Sequence, residues 1–420
     1  MPGSGAGRSA ADGSAGTAGA GRNRTRSSSR DENWKYATLR SLERVRFLPA
    51  PLMPALPTGA DLPPPLPGIA RFVFIEGRFA PAHSAALEAG GGAVTLLSQP
   101  ADEPRAEADR APDAVAADER FALLNQAFAT DGLAIEVRTA SAAPLQLEAL
   151  FVASAEAQAH ASYPRVEVRL APGAQLTLIE RHLSAGAEAS FVASAAHVTL
   201  GRGARLEHYR LQELNSRSTS FDTLSAELAG DAAYRLHGIS TGAQSARTTL
   251  AMRLAGERAD LALAIAALGD RQQVQDAYAV VEHAAANART VQTFRGIAAG
   301  RSRVACNGKI IVARGARGTD SRQSLRGLLA GPEAEIDVRP QLEIYTDDVR
   351  CSHGATAGKL DENMLFYLLS RGLERDTAQR LLKWAFLEDV IAQIALPPLR
   401  RQIEERLAGQ LRDEALRELL

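Results

Sequence analysis

Val166 to Glu180 reads VEVRLAPGAQLTLIE, two short runs of alternating apolar and polar residues joined by a proline-glycine turn. Side chains along an extended chain point to opposite faces in turn, so each run is a strand with one dry side. The same strand-turn-strand unit returns as HVTLGRGARLEHYRL (197 to 211), LSAELAGDAAYRLHGI (224 to 239) and MRLAGERADLALAI (252 to 265). RTVQTFRG (289 to 296) and KIIVARGARG (309 to 318) continue it. Turn glycines fall at 173, 203, 230, 256 and 315, mostly about 25 to 30 residues apart. One such unit cannot bury its apolar side alone, whereas stacked copies share a continuous core. The pattern predicts a mainly β protein with a β-helix-like core over 133 to 357; the alternative is a β-sandwich with irregular hairpins.

The flanks read differently. Residues 1 to 30 are mostly Gly, Ala, Ser and Arg with Asp12 as their one acid, too polar to offset ordering entropy, and read as a disordered leader. An organellar transit peptide is the alternative, although the apolar face of such peptides is missing. Residues 31 to 132 form an N-terminal helical and proline-rich linker region. In it, NWKYATLRSLERVRF (33 to 47) has helical spacing and PAPLMPALPTGADLPPPLPG (49 to 68) favours an extended chain. RFVFIEGRF (71 to 79) alternates like a strand, 101 to 120 is a charged loop, and FALLNQAFATDG (121 to 132) is a short helix stopped by Gly132.

Residues 358 to 420 switch to helical periodicity and form a C-terminal helical subdomain. Asp361 caps LDENMLFYLLSRG, Met364, Leu365, Leu368 and Leu369 make its apolar stripe, and Gly372 ends it. The next helix carries Ala378, Leu381, Leu382, Ala385 and Ile394 until Pro397 and Pro398 break it, and the last carries Ile403, Leu407 and Leu411.

Composition narrows the function. A length of 420 residues suits two or three domains or one elongated repeat array. A net charge of −1 with pI near 6.7 argues against a general electrostatic grip on nucleic acid or an anionic membrane surface. Two cysteines make no disulfide framework and no signal peptide opens the chain, which suggests the reducing cytoplasm. Even LALAIAAL (261 to 268) is far shorter than a membrane span.

The chemistry concentrates in CSHGAT (351 to 356). Cys351 and His353 are two residues apart, so an extended chain points both to one side, which suits shared metal ligation. A closed zinc or iron–sulfur site needs about four such ligands, so others must lie elsewhere in the chain or on another chain. Two alternatives stand beside this: a structural thiol next to a surface histidine, and a Cys/His hydrolase, which needs a helix N-terminus or a positioned base. GATAGKL (354 to 360) falls one residue short of a phosphate loop, and Leu360 stands where Ser or Thr is needed. The histidines at 83, 160, 182, 197, 208, 237 and 283 show no metal spacing, and Cys306 reads as a small buried strand residue.

Residues 340 to 391, PQLEIYTDDVRCSHGATAGKLDENMLFYLLSRGLERDTAQRLLKWAFLEDVI, resemble the SufD branch of the SufB/SufD family of iron–sulfur cluster assembly scaffolds. Weaker similarity runs back through FALLNQAFATDGLAIEV and RFVFIEGRF to NWKYATLR, covering roughly 33 to 395; the segment ahead of Trp34 is shorter than the family's usual N-terminal helical region. SufB-like paralogues typically carry EHEAT where this chain has SHGAT, so His353 favours the SufD branch. The resemblance implies a right-handed parallel β-helix flanked by helical regions and a non-enzymatic scaffold. It implies pairing with a SufB-like subunit through the β-helix, and binding of the SufC ATPase through the C-terminal helices. At the SufB interface the histidine matching His353 lies near a partner cysteine, so a transient iron–sulfur cluster would be shared between subunits; Cys351 is a second candidate ligand, and a reduced flavin is the candidate reductant. Other readings are a SufB-like paralogue, a purely structural β-solenoid, or a polysaccharide-acting one; the last needs clustered acids on one face and normally a secretion signal.

Overall fold

The computed structural model describes Trp34 and residues 39–87, 93–98 and 119–411. The leader and nearly all of the charged 101 to 120 segment lie outside the described residues.

From Ser190 to Gly358 every strand pairs in parallel with the strand two before it, so successive strands alternate between two sheets. Gln175 pairs with Arg205, Arg205 with Ala233 and Ala233 with Asp260, offsets of 30, 28 and 27 residues. The result is a parallel β-solenoid of about eight turns. Inside it, like residues stack: Leu170, Leu200, Leu228 and Leu254 occupy one column in register, each no more than 3% exposed. Burying each contributes roughly 1.5 to 3 kcal/mol, and the column repeats because the period does.

Three of the five expected turn glycines are required, for two different reasons. Gly173 and Gly203 take the left-handed φ values of 74° and 68° that favour glycine, but Asp231 (61°) and Arg258 (59°) fill that role on the next turns. Gly256 is required for space, since a Cβ there would come within 1.9 Å of the Gly230 amide nitrogen on the turn below.

The stack begins ahead of residue 133. Ala70–Ile75 joins Leu145–Ala153 in parallel, so RFVFIEGRF supplies a strand and hairpin to the first turn. The proline-rich segment is pinned to it by Arg71, whose guanidinium donates to the Pro63 and Pro64 carbonyls at 2.7 and 3.0 Å and pairs with Glu148 at 2.7 Å. Within NWKYATLRSLERVRF the described helix is α1, Arg40–Arg44. Helix α2, Glu119–Phe128, packs Phe121 with Trp34 on the outward aromatic residues Phe191 and Phe221 of one sheet.

The outer face of the other sheet is covered from the C-terminus by α4, Arg375–Ile391, and α5, Pro397–Gln410; α3, Glu362–Ser370, precedes them. Asp361 accepts from the Asn363 and Met364 amides to start α3, and Gly372, at φ 90°, follows its end. The buried stripes differ from the expected ones. Of Met364, Leu365, Leu368 and Leu369 only Leu365 is buried, and α4 buries Ala378, Leu387, Val390 and Ile391 while Ala385 is exposed. The reason is the partner surface: the outward column of Tyr209, Leu211, Ile239, Leu268, Ile297 and Leu328 selects the buried face, with Arg295 fixed to Asp389 at 2.8 Å. Among the described residues no helix is long and apolar enough to cross a membrane.

Candidate metal centre at the open end of the solenoid

Glu335–Ile344 is the end strand of one sheet and Val349–Gly358 of the other, so each has a hydrogen-bonded neighbour on one edge only. The free edges present a row of backbone donors and acceptors to a pairing chain. Between the two strands the chain turns at residues 345–348, so QLEIY and CSHGAT lie on different sheets and share no side-chain parity.

Register then places the two candidate ligands. Thr319 pairs with Val349, Ser321 with Cys351 and Gln323 with His353. Thr319, Ser321 and Gln323 are buried, at 0%, 0% and 4%, on the inward face of their strand. Cys351 and His353 therefore share the inward parity of the last turn, as the spacing predicts. With no turn beyond them, Cys351 is half-buried beside Val349 against the main core, and His353 is exposed. Burial pushes the Cys351 thiol up, the Asp320 carboxylate adds to this, and the Ser321 amide opposes it. The thiol therefore holds its proton more tightly than a free cysteine.

Behind His353 lies a polar pair. Gln323 Nε2 donates to Gln292 Oε1 and to the Gly308 carbonyl, each at 3.0 Å. Cys306 is buried further in, its thiol pushed up by burial and by Asp276, and it forms no disulfide with Cys351. Among the described residues no group of three or more His, Cys, Asp or Glu side chains comes together to hold a metal ion. The open end offers one imidazole and one thiol on the same side.

GATAGKL forms no phosphate cradle. Gly354 to Gly358 is strand, so its amides alternate in direction and do not converge on an anion.

Sequence spacing missed a second constellation. His182 and His208 stand 26 positions apart in the sequence and meet at Glu180 inside the stack. Glu180 Oε1 lies 2.7 Å from His182 Nε2 and 2.6 Å from Arg210 Nη2, and Oε2 lies 3.3 Å from His208 Nε2. Arg210 Nη2 also donates to Asp222 at 2.8 Å, and His208 Nδ1 meets the Tyr234 hydroxyl at 2.9 Å. Burial alone would push Glu180 up, but the Arg210 charge and the two imidazoles outweigh it and hold the carboxyl well below its usual range. Burial pushes His208 down, so Glu180 and Arg210 carry the charge and His208 is neutral. The only signal available in the sequence was the repeat itself: positions about 30 apart are neighbours, whatever their linear spacing.

The fold defines a class, the parallel β-solenoids with C-terminal helices packed on one outer face. Residues 151–386 match a family model described as SUF system FeS cluster assembly, SufBD core domain. The chain belongs to that family. It is 31% identical over 388 residues to the iron–sulfur cluster assembly protein SufD of Escherichia coli (strain K12), covering 90% of this chain and 88% of that one. It is 27% identical over 390 residues to an iron–sulfur cluster assembly SufBD family protein of Synechocystis, covering 90% and 85%.

Proposed function

We propose that the chain is a SufD-type scaffold subunit, without catalytic activity of its own, in a cytoplasmic complex that assembles iron–sulfur clusters and passes them on. The observation that carries this reading is the placement of His353 and Cys351 on the inward face of an unpaired terminal turn. A SufB-like paralogue pairing along the two free edges would bring its own ligands against that turn and complete a site that one chain leaves half built. The cluster is cargo, shared between the two subunits while it forms: His353 supplies a neutral imidazole nitrogen, and Cys351 a thiolate once iron displaces its proton. A reduced flavin is a suitable electron source.

The SufC-type ATPase docks on the C-terminal helices. Met364, Phe366 and Tyr367 of α3 are 57%, 72% and 56% exposed, an apolar ridge of the kind a partner groove accepts. Helices α4 and α5 are committed to the sheet, which leaves α3 as the face available. Co-purification from the native host, with iron and sulfide analysis of the material recovered, tests the reading. Recovery with a paralogue and an ATPase, carrying iron and acid-labile sulfide, is expected; recovery alone and metal-free contradicts it.

A further inference from the structure

We propose that Gln323 is a positioning residue for His353: its free Oε1 is the acceptor onto which one ring N–H turns, which leaves the lone pair of the other ring nitrogen for iron. Gln292, Gln323 and His353 occupy one inward column on three successive turns. Stacked amides on parallel strands form ladders in which the nitrogen of one turn meets the oxygen of the next. Here the ladder has a direction. The Gly308 carbonyl can only accept, so the group 3.0 Å from it is the amide nitrogen of Gln323. That nitrogen has two hydrogens, and the second goes to Gln292 Oε1 on the preceding turn at 3.0 Å. Both donors are thus used within the stack, and the amide oxygen is left as an open acceptor.

This oxygen is buried and has no hydrogen-bond partner among the described residues; the His353 ring, exposed on the neighbouring strand, is not bonded to it in this structure. A buried acceptor left unmade is costly, and the side chain that register places over it is His353. The site is also cleared for the amides: a Cβ at Gly308 would come within 2.9 Å of both Gln292 Oε1 and Gln323 Nε2. A ligating histidine is commonly oriented and fixed in tautomer by an acceptor on its second nitrogen. Gln323, 4% exposed and tethered at two points, is a rigid acceptor for that purpose.

The inference concerns His353 in this chain alone, while its use in assembly rests on the function proposed above, so the test has two arms. In the first, the full chain is labelled with ¹⁵N-histidine, and the His353 ring signals are identified by their loss in His353→Ala. The wild type should show two well-separated ring nitrogens, one protonated and one bare, as a single neutral tautomer. Gln323→Met, which keeps the length and removes the acceptor, should draw them together towards the averaged values of a solvated imidazole. Gln292→Met weakens the stack but leaves Gln323 tethered to Gly308, so it should keep the separation; this distinguishes positioning from general loosening. Averaged signals in the wild type, or no change in Gln323→Met, would overturn the inference. In the second arm, maturation of an iron–sulfur client by the assembled complex should fall in Gln323→Met, with no further loss when it is combined with His353→Ala. A maturation defect that adds to that of His353→Ala would show that Gln323 does not act through the imidazole. An unchanged client yield beside a changed tautomer would leave the positioning intact and count against His353 as an iron ligand.

Discussion

Replacing Arg210 with methionine should convert the interior of the solenoid from acid-sensitive to base-sensitive. Arg210 is the counter-charge that Glu180 and Asp222 share, at 2.6 and 2.8 Å, and both Arg210 and Glu180 are at least nine-tenths buried. Removing one member of a buried pair leaves the other uncompensated, which costs about 3 to 5 kcal/mol. The two imidazoles still face Glu180, so the lower end, about 3 kcal/mol at neutral pH, is expected. The pH dependence follows from linkage. In the wild type the folded-state carboxyl lies below its unfolded value, so its contribution is present above the unfolded pKa and lost as pH falls through the folded one. In Arg210→Met desolvation dominates, the folded carboxyl rises above the unfolded value, and stability is regained as pH falls through the raised pKa. Urea unfolding of the full chain, followed by far-UV circular dichroism at several pH values between about 4 and 8, reads both effects. In a solenoid the loss falls on neighbouring turns, so the variant's transition should also broaden or split. A variant within about 0.5 kcal/mol of wild type, or one with the same pH slope, would refute the account of the cluster.

Two further outcomes test other parts of the structure. Phe366→Ala combined with Tyr367→Ala should abolish recovery of the ATPase subunit while unfolding shifts by no more than about 0.5 kcal/mol, because both side chains are exposed; retention of the ATPase would remove α3 from the interface. Gly256→Ala sets a Cβ 1.9 Å from a backbone nitrogen that cannot swing aside, so a loss of at least about 2 kcal/mol in urea unfolding is expected, and a neutral result would show that adjacent turns part easily enough to admit a methyl group.

Much of the fold was legible because a solenoid writes its period into the chain. VEVRLAPGAQLTLIE and HVTLGRGARLEHYRL differ in sequence but share turn position and inward columns, and register follows from those two features. What stayed hidden depends on the partner surface. The buried face of α4 is chosen by the sheet beneath it, so Leu387 and Val390 are covered and Ala385 is not, although helical spacing alone allows either. The left-handed turn position could not be located from glycine content, because Asp231 and Arg258 adopt it as well. At the candidate site, the shared side of Cys351 and His353 followed from their spacing, but their place on a terminal turn did not. Nor did the Gln323 amide behind His353, or the meeting of Glu180 with His182 and His208. Those contacts join residues about 30 apart, and they become readable only once the register is known.

On the function proposed above, His353 serves a cluster held between two chains and does little for the fold. The direct measurement is to purify wild-type and His353→Ala complexes side by side, compare subunit ratio and melting, and assay maturation of an iron–sulfur client. Because His353 is exposed on the last turn, the variant complex should assemble in the same ratio and melt with a loss of about 1 kcal/mol or less, yet fail to mature its client. Cys351→Ser should retain more activity, since the thiol is the second candidate ligand. Normal maturation by His353→Ala would show that the imidazole is not a working ligand, and a complex that falls apart would show that its role is structural.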